Sequence, residues 1–284
     1  MTTPVHLPRT EVHSLTSEST GEAFELWIGH PMEGWATTGD QPIHLLFLLD
    51  ANLFFGMAVE MTRLMHTLFG ELPPILVAGV AYPDVDPVAQ SRLRTGHFTP
   101  SRDPIFAEAV RALAPPGAPT PAPPPMGGAG DFLTFLRRQV DPFVRDRFGL
   151  AAASSTLFGT SLGGLFAVHA LRTAPEWVDH IIAGSPSLWW NEEEIFAALT
   201  DGGRLGGSEV GPDVVIAVGG GEEGPATPQL NRYKLVTNAR RLADECGRGA
   251  LPCRSVHLEV IEGESHTSVV PSTLTRGLRR LLKP

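Results

Sequence analysis

The segment Gly159-Thr160-Ser161-Leu162-Gly163 constrains the fold of this chain most strongly, because it joins a short β-prone run to a helical one. The run before it covers residues 155–158, and the run after it, residues 165–171, reads as a buried helix. So sharp a turn from strand to helix strains its central residue and lifts the Ser161 hydroxyl above the sheet edge. Glycine is expected at 159 and 163 because a Cβ there would clash across the turn. The pattern predicts an α/β-hydrolase with Ser161 as nucleophile.

Candidates for the other members of a catalytic triad follow Ser161 in the order that this fold requires, the acid before the histidine. Glu222 and Glu223 come directly after the apolar run 214–218, and His266 follows the strand-like run 256–261. The carboxyl ends of parallel strands meet at one edge of the sheet, where the active site of an open sheet lies. We therefore expect His266 to act as general base and Glu222 to orient it, with Glu223 as the alternative acid.

The oxyanion that develops during attack on an ester needs backbone N–H donors held ready for it. The sequence offers Leu162, which starts the helix after Ser161, and the loop that follows the apolar run 43–49. In that loop we predict Asn52 as the second donor, with Ala51 as the alternative. Asp50 is expected to brace the loop.

Strand-like and helix-like segments alternate from residue 43 onward, which is typical of a parallel α/β sheet. The sequence predicts one α/β-hydrolase domain over residues 1–284, with a mainly parallel central sheet and helices on both faces. One helix and a glycine-rich loop fill the stretch between Trp190 and Asp213, so we expect no separate cap domain and an open cleft. The Pro/Gly-rich tract 114–129 is expected to be an extended surface loop, or else a flap beside the active site. The predicted strands are 23–29, in an antiparallel hairpin, 43–49, 75–80, 155–158, 180–183, 214–218 and 256–261, and the further helices are 53–69, 132–148, 191–199, 230–242 and 274–282.

Composition and charge narrow the function classes. The formal net charge of −9 argues against general nucleic-acid binding, which needs a basic surface. No apolar stretch is long enough to cross a bilayer and no export signal is visible, so a cytoplasmic protein without membrane contact is expected. The two cysteines, Cys246 and Cys253, are expected as reduced thiols, with a local disulfide as the alternative. Because no Cys/His cluster has zinc spacing, no metal is expected. No organic cofactor is expected either. The oligomeric state stays open, a homo-oligomer included.

Five stretches of the sequence together carry a resemblance to a known family. They are Leu48-Leu49-Asp50, Arg94-Thr95 with Thr99-Pro100, Gly128 with Asp131-Phe132-Leu133, residues 157–166 around Ser161, and Ser185-Pro186-Ser187-Leu188-Trp189-Trp190. Together they resemble the "Putative esterase" family of the α/β-hydrolase superfamily and, within it, the enterobactin- and bacillibactin-type siderophore esterases. The resemblance extends from about residue 23 to the C-terminal helix.

This resemblance implies a serine hydrolase with Ser161 as nucleophile, His266 as base and Glu222 at the family's acidic position. It also implies that Arg94 faces the catecholate groups of a siderophore.

Substrate contacts are predicted for Arg94, Trp189 and Trp190. A ferric catecholate carries several negative charges, so this acidic chain would need a cationic rim, for which Arg92, Arg94 and Arg102 are the candidates. The two tryptophans can stack on aromatic acyl groups. The alternative is that the arginines are ordinary surface residues and the tryptophans serve packing.

Two positions depart from the family's pattern and leave the exact substrate open. His97 stands where an aspartate is usual, and Thr160 where a histidine is frequent. We predict a serine carboxylic-ester hydrolase that acts through an acyl-enzyme on a small-molecule ester, of siderophore-trilactone type or another aryl-acyl ester. The alternatives are a general esterase or thioesterase of small acyl groups, and a non-catalytic binding protein of this fold, against which the Ser161 and His266 pair argues.

Overall fold

The described strands join in one eight-stranded, mainly parallel sheet. The computed structural model describes residues 5–33, 41–83, 86–112, 122–201, 211–225 and 227–283. Its strands are β1 (Thr10–Thr16), β2 (Ala23–Gly29), β3 (His44–Leu48), β4 (Ile75–Ala81), β5 (Ser155–Thr160), β6 (His180–Gly184), β7 (Asp213–Gly219) and β8 (Ser255–Ile261). Their order across the sheet is β1-β2-β4-β3-β5-β6-β7-β8. β2 pairs antiparallel with β1 and β4, and every other pair is parallel.

Helices cover both faces of this sheet. They are α1 (Ala51–Thr67), α2 (Pro87–Phe98), α3 (Pro104–Ala112), α4 (Ala129–Phe135), α5 (Asp141–Phe148), α6 (Leu162–Thr173), α7 (Trp190–Asp201), α8 (Leu235–Gly247) and α9 (Val269–Leu282). Residues of α1 and α9 pack on one face, while those of α2, α4, α6 and α8 pack on the other. None of the described helices is both long and apolar enough to span a bilayer.

The strands are continuous apolar runs because both of their faces are covered. In β3, Leu45 and Phe47 belong to the core on the α6 side, while Leu46 and Leu48 belong to the core on the α1 side. All five residues of β3 are buried. The predicted α/β architecture and each of the predicted strands are thereby found in the structure.

The sequence patterns miss β1, α2 and α3. For α2 a signal was present, since Asp86 caps the helix by accepting hydrogen bonds from the backbone N–H groups of Val88 and Ala89 at 2.8 and 3.0 Å. Pro87 follows at the first helical position, where its missing N–H costs nothing.

The predicted helix 132–148 is interrupted by a π-helical turn over Leu136–Val140, between α4 and α5. Pro142 explains the widening, because it has no N–H to donate to the carbonyl one turn back. The predicted helix 191–199 also begins irregularly, since Asn191, Glu192 and Glu193 have positive φ angles of 46°, 56° and 62°.

The described part of the Pro/Gly-rich tract lies against α2. The Arg92 guanidinium donates to the carbonyl oxygens of Ala122 and Pro123, and the Gly128 N–H donates to that of Gly96. Residues 114–121 of the tract lie outside the described part of the chain.

Candidate active site

Ser161 occupies a sharp turn between β5 and α6. Its backbone angles, φ 58° and ψ −119°, are ones that non-glycine residues avoid. The turn excludes a side chain at Gly159, where a Cβ would lie 2.2 Å from the Gly163 carbonyl oxygen. The expectation for Gly163 is wrong, because the nearest atom to a Cβ there would be 3.6 Å away. Gly164 is the second restricted position, since its Cβ would lie 2.7 Å from the Gly184 carbonyl oxygen where α6 packs on β6.

A chain of hydrogen bonds links Ser161 to His266 and Glu222. The Ser161 Oγ lies 3.1 Å from His266 Nε2, and His266 Nδ1 lies 2.5 Å from Glu222 Oε2. With Nδ1–H donating to the carboxylate, Nε2 is left to accept the serine proton. The His266 side chain is 32% exposed while that of Glu222 is fully buried, so the histidine alone of these two faces the solvent.

The structure brings Glu222, and not Glu223, to the histidine. Glu222 lies in a short 3₁₀ turn after β7, and its Oε1 also accepts a hydrogen bond from the Gly219 N–H at 2.7 Å. Glu223 points away and accepts from the backbone N–H and the hydroxyl of Thr237 at 2.8 and 2.6 Å. Of the two acids left open by the sequence, only Glu222 is in a position to orient His266.

Two serines after β6 belong to the site and escape the sequence patterns. Ser185 is fully buried with a φ of 38°, and its hydroxyl donates to Glu222 Oε1 at 2.5 Å. Ser187 is 1% exposed, and its Oγ lies 3.4 Å from that of Ser161. The available signal was their position at the carboxyl end of a predicted parallel strand, the edge at which the other site residues collect.

The two predicted oxyanion donors lie at the N-termini of helices. Leu162 is the first residue of α6, and Asn52 lies in the first turn of α1. The Asn52 side chain is not free, because it donates to the Tyr82 carbonyl at 3.0 Å and accepts from the Tyr82 N–H at 2.8 Å. These two bonds tie the start of α1 to the end of β4, so the backbone N–H of Asn52 is the candidate donor.

Beside Ser161 is a cleft of about 300 Å³. Apolar side chains of α1, α2 and α9 form much of its wall, and polar groups of α2 and of the His266 loop complete it. Its lining residues are Leu53, Phe54, Pro87, Gln90, Ser91, Arg94, Thr160, Ser161, His266, Thr267 and Val270.

Arg94 lines this cleft, but its guanidinium is already paired. Its Nε and Nη2 donate to the two carboxylate oxygens of Asp50, each at 2.8 Å. Asp50 is 1% exposed and has a positive φ of 55° at the start of α1. Burial disfavours the charge on Arg94, yet the attraction and hydrogen bonds of Asp50 raise the pKa of Arg94 above its ordinary value. Arg94, in the cleft wall, therefore fixes the loop that carries Asp50 and the predicted oxyanion donor Asn52.

The structure does not place Trp189 or Trp190 in the cleft. Trp190 is 1% exposed, packs on Phe106 at 5.1 Å between ring centroids, and donates from its indole N–H to the Ser101 carbonyl. Trp189 packs on Tyr233 with ring centroids 4.6 Å apart. Both rings serve packing, which was the alternative that the sequence left open.

Comparison with known proteins relates this site to a family. A model of the "Putative esterase" family matches residues 115–246. The crystal structure of the BES protein from Bacillus cereus has a TM-score of 0.76 at 26% identity, with 100% of both chains covered. A siderophore enterobactin esterase of Emericella nidulans is 32% identical over 90% of this chain and 88% of the relative. A siderophore triacetylfusarinine C esterase of Aspergillus fumigatus is 30% identical over 97% of this chain and 94% of the relative. The chain belongs to this esterase family.

The predicted fold, the family resemblance and the esterase class are thereby confirmed, and a purely binding role is set aside. The esterase accommodates the unusual His97 as a buried structural residue. His97 Nδ1 lies 3.1 Å from the Tyr82 hydroxyl, and Nε2 lies 2.8 Å from a Glu22 carboxylate oxygen. Thr160, the other departure, forms part of the cleft wall next to Ser161.

The described residues contain no group of three or more His, Cys, Asp or Glu side chains that could hold a metal ion. Cys246 and Cys253 are both buried free thiols.

Proposed function

We propose that this esterase cleaves carboxylic esters of siderophore-trilactone type, or related aryl-acyl esters, through an acyl-enzyme intermediate. The observation that carries the proposal is the hydrogen-bonded chain from Ser161 through His266 to the buried Glu222. A serine hydroxyl is a poor nucleophile until a neighbouring base accepts its proton, and this chain supplies that base together with the group that orients it.

In the first half of the reaction, Ser161 Oγ attacks the ester carbonyl carbon while its proton passes to His266 Nε2. The resulting imidazolium is stabilised by Glu222, and the carbonyl oxygen becomes an oxyanion that the N–H groups of Leu162 and Asn52 receive. The tetrahedral intermediate collapses as the bond to the leaving alkoxide breaks. His266 returns its proton to that alkoxide, which leaves as an alcohol.

In the second half, a water molecule attacks the acyl-enzyme carbonyl and gives a proton to His266 Nε2. Collapse of the second tetrahedral intermediate breaks the bond to Ser161 Oγ, which takes the proton back, and the carboxylic acid is released. Each donor to an oxyanion typically contributes about 100- to 1,000-fold in rate.

The substrate class rests on the relatives and on the form of the cleft. The relatives are named as esterases of triacetylfusarinine C and of enterobactin. The cleft is open beside Ser161 and mainly apolar along α1 and α9, which suits a bulky ester better than a small acyl group. A cytoplasmic location is part of the proposal. Cys246 and Cys253 are free thiols, and a reducing compartment such as the cytoplasm keeps cysteines in that state.

The test compares the wild type with Ser161→Ala on p-nitrophenyl esters, feruloyl esters and a catecholate trilactone, the last with and without iron. The exposed Ser14 of β1 gives a matched control, Ser14→Ala. We expect the wild type to cleave the trilactone with the highest kcat/KM, Ser161→Ala to lose about 10⁴-fold or more in kcat, and Ser14→Ala to match the wild type.

Cleavage of the simple esters alone would favour the general esterase and overturn the substrate class. Retained activity in Ser161→Ala would overturn the assignment of the nucleophile.

A further inference from the structure

The charge of the cleft, taken together with the proposed function on which this inference rests, bears on which siderophore-type esters can be substrates. Arg94 is the one permanently charged side chain among the described residues that line the cleft. Its two hydrogen bonds to Asp50, at 2.8 Å each, cancel that charge with a carboxylate that is itself 1% exposed. The described part of the wall beside Ser161 therefore presents no permanent positive charge that is free to meet a substrate.

The neighbouring arginines do not supply the missing charge. Arg92 donates to the carbonyl oxygens of Ala122 and Pro123 on the far side of α2 from the lining residues, at 2.7 and 3.2 Å. Neither Arg92 nor Arg102 lines the cleft.

Two carboxylates stand next to cleft-lining residues along the sequence. Asp86 caps α2 directly before Pro87, a lining residue, and Glu264 lies two residues before His266. The chain as a whole has a formal charge of −9. A highly anionic ester would therefore be repelled by the net negative field of the whole protein.

In place of a cation, the wall offers a neutral amide. Gln90 lies one helical turn before Arg94 on α2, lines the cleft and is 7% exposed. Its Nε2 is buried and has no hydrogen-bond partner. The terminal amide torsion is soft, so the N–H can turn toward an acceptor in the cleft, and a donor left unpaired in the free protein gains most from such an acceptor.

We propose that the cleft selects uncharged ester substrates over polyanionic ones, and that Gln90 is a specificity-determining residue that donates to a neutral carbonyl oxygen of the acyl arm. A ferric complex of three catecholate dianions keeps three negative charges, whereas the iron-free catechol form is neutral. Three hydroxamate monoanions also cancel the charge of ferric iron. The substrates are therefore the iron-free catechol trilactone or a ferric hydroxamate triester, and not the ferric catecholate.

The first experiment measures kcat/KM of the wild type on three esters: one catechol trilactone without iron, the same trilactone with iron, and a ferric hydroxamate triester. We expect the two neutral substrates to be cleaved about tenfold or more faster than the ferric catecholate, with the gap narrowing as salt screens the repulsion. The ferric hydroxamate separates the effect of charge from that of rigidity, because it holds iron without net charge.

The second experiment adds a cation to the cleft wall with Gln90→Lys, and with Ser91→Lys as a second variant should the first fail to fold. Each should raise the ratio of ferric catecholate to iron-free rates by about tenfold, since a free positive charge then meets the anion. Gln139→Lys is the matched control, because Gln139 bonds the backbone of Glu18 and Thr16 far from the lining residues. Gln90→Met, which removes the donor without adding charge, should lower kcat/KM on both neutral esters.

Faster cleavage of the ferric catecholate by the wild type, or a ratio that the lysine variants leave unmoved, would overturn the inference while leaving the esterase proposal intact. Turnover of none of the three esters would overturn the proposed function and this inference with it.

Discussion

Replacing Arg94 with methionine tests how the oxyanion loop is held. The variant keeps a long unbranched side chain on α2 but removes the guanidinium that bonds both oxygens of Asp50. The Asp50 carboxylate, 1% exposed, is then left buried without its partner. Removing one partner of a buried ion pair typically costs about 3–5 kcal/mol. Because the Arg94 side chain is still 16% exposed, we expect the lower end, a loss of about 3 kcal/mol in the free energy of unfolding.

Removing both charges should restore most of that loss. In the double variant Asp50→Asn/Arg94→Met no buried charge remains, and asparagine tolerates the positive φ of 55° that residue 50 requires. We expect the double variant to be at least about 1.5 kcal/mol more stable than Arg94→Met alone, since the uncompensated carboxylate accounts for most of the cost.

The assay is urea unfolding at pH 7, followed by tryptophan fluorescence, on the wild type, both single variants and the double variant. Steady-state kinetics on the iron-free trilactone accompany it. We expect Arg94→Met to lower kcat with little change in KM, because the loop that carries the Asn52 N–H shifts. These four proteins form a double-mutant cycle. If Arg94→Met loses less than about 1 kcal/mol in the free energy of unfolding, shows no coupling with Asp50→Asn and has a raised KM, the bracing role is refuted and Arg94 is again a candidate substrate contact.

Three further predictions concern the acid, its support and the sheet. Glu222→Gln, which keeps the size of the side chain, should lower kcat by about 10²- to 10⁴-fold, while the matched control Glu223→Gln should stay near wild type. Equal effects of the two variants would contradict the assignment of Glu222 as the acid that orients His266. Ser185→Ala removes one hydrogen bond to that buried carboxylate and should lower kcat about tenfold; thermal unfolding is measured beside it, because losing this bond also costs about 1–3 kcal/mol of stability. Burial, with repulsion from His180, lowers the pKa of His44 from 6.5 to about 3. Between these two pH values the unfolded chain is protonated at His44 while the native state is not. The free energy of unfolding should therefore be unaffected by His44 above pH 6.5 and should fall toward pH 3 by up to about 1.4 kcal/mol per pH unit. Denaturation curves of His44→Gln, measured over the same pH range, should show a shallower fall.

Local sequence chemistry was enough to predict seven of the eight described strands and the turn at Ser161. Strands such as β3 are buried on both faces, so they are unbroken apolar runs that need no knowledge of their neighbours. The order of serine, acid and histidine follows from the order of strands whose carboxyl ends share one edge. That is why Ser161, Glu222 and His266, far apart along the chain, could be selected together.

Pairings between distant side chains could not be predicted in the same way. Nothing near Arg94 in the sequence indicates that its charge is neutralised by Asp50, which lies on another element. The sequence alone therefore marks Arg94 as a free cation, whereas the structure shows it in an ion pair. The left-handed turn at Asn191 is a similar case, since Asp103 fixes it through the Asn191 N–H at 2.9 Å and Ser101 contacts the Asn191 side chain. Glu222 differs from Glu223 only in which way each side chain points from one turn.

The crowding at the turn around Ser161 has a consequence for reading large-scale mutagenesis of this esterase. Gly159 is buried in β5 and does not line the cleft, yet any side chain there would overlap the Gly163 carbonyl oxygen, and the same holds for Gly164 against the Gly184 carbonyl oxygen. A library scored by ester turnover alone would thus rank these glycines beside Ser161, as if they took part in the chemistry. Scoring the same library for soluble, folded protein would separate them, because Ser161→Ala leaves the backbone space untouched whereas a Cβ at either glycine does not.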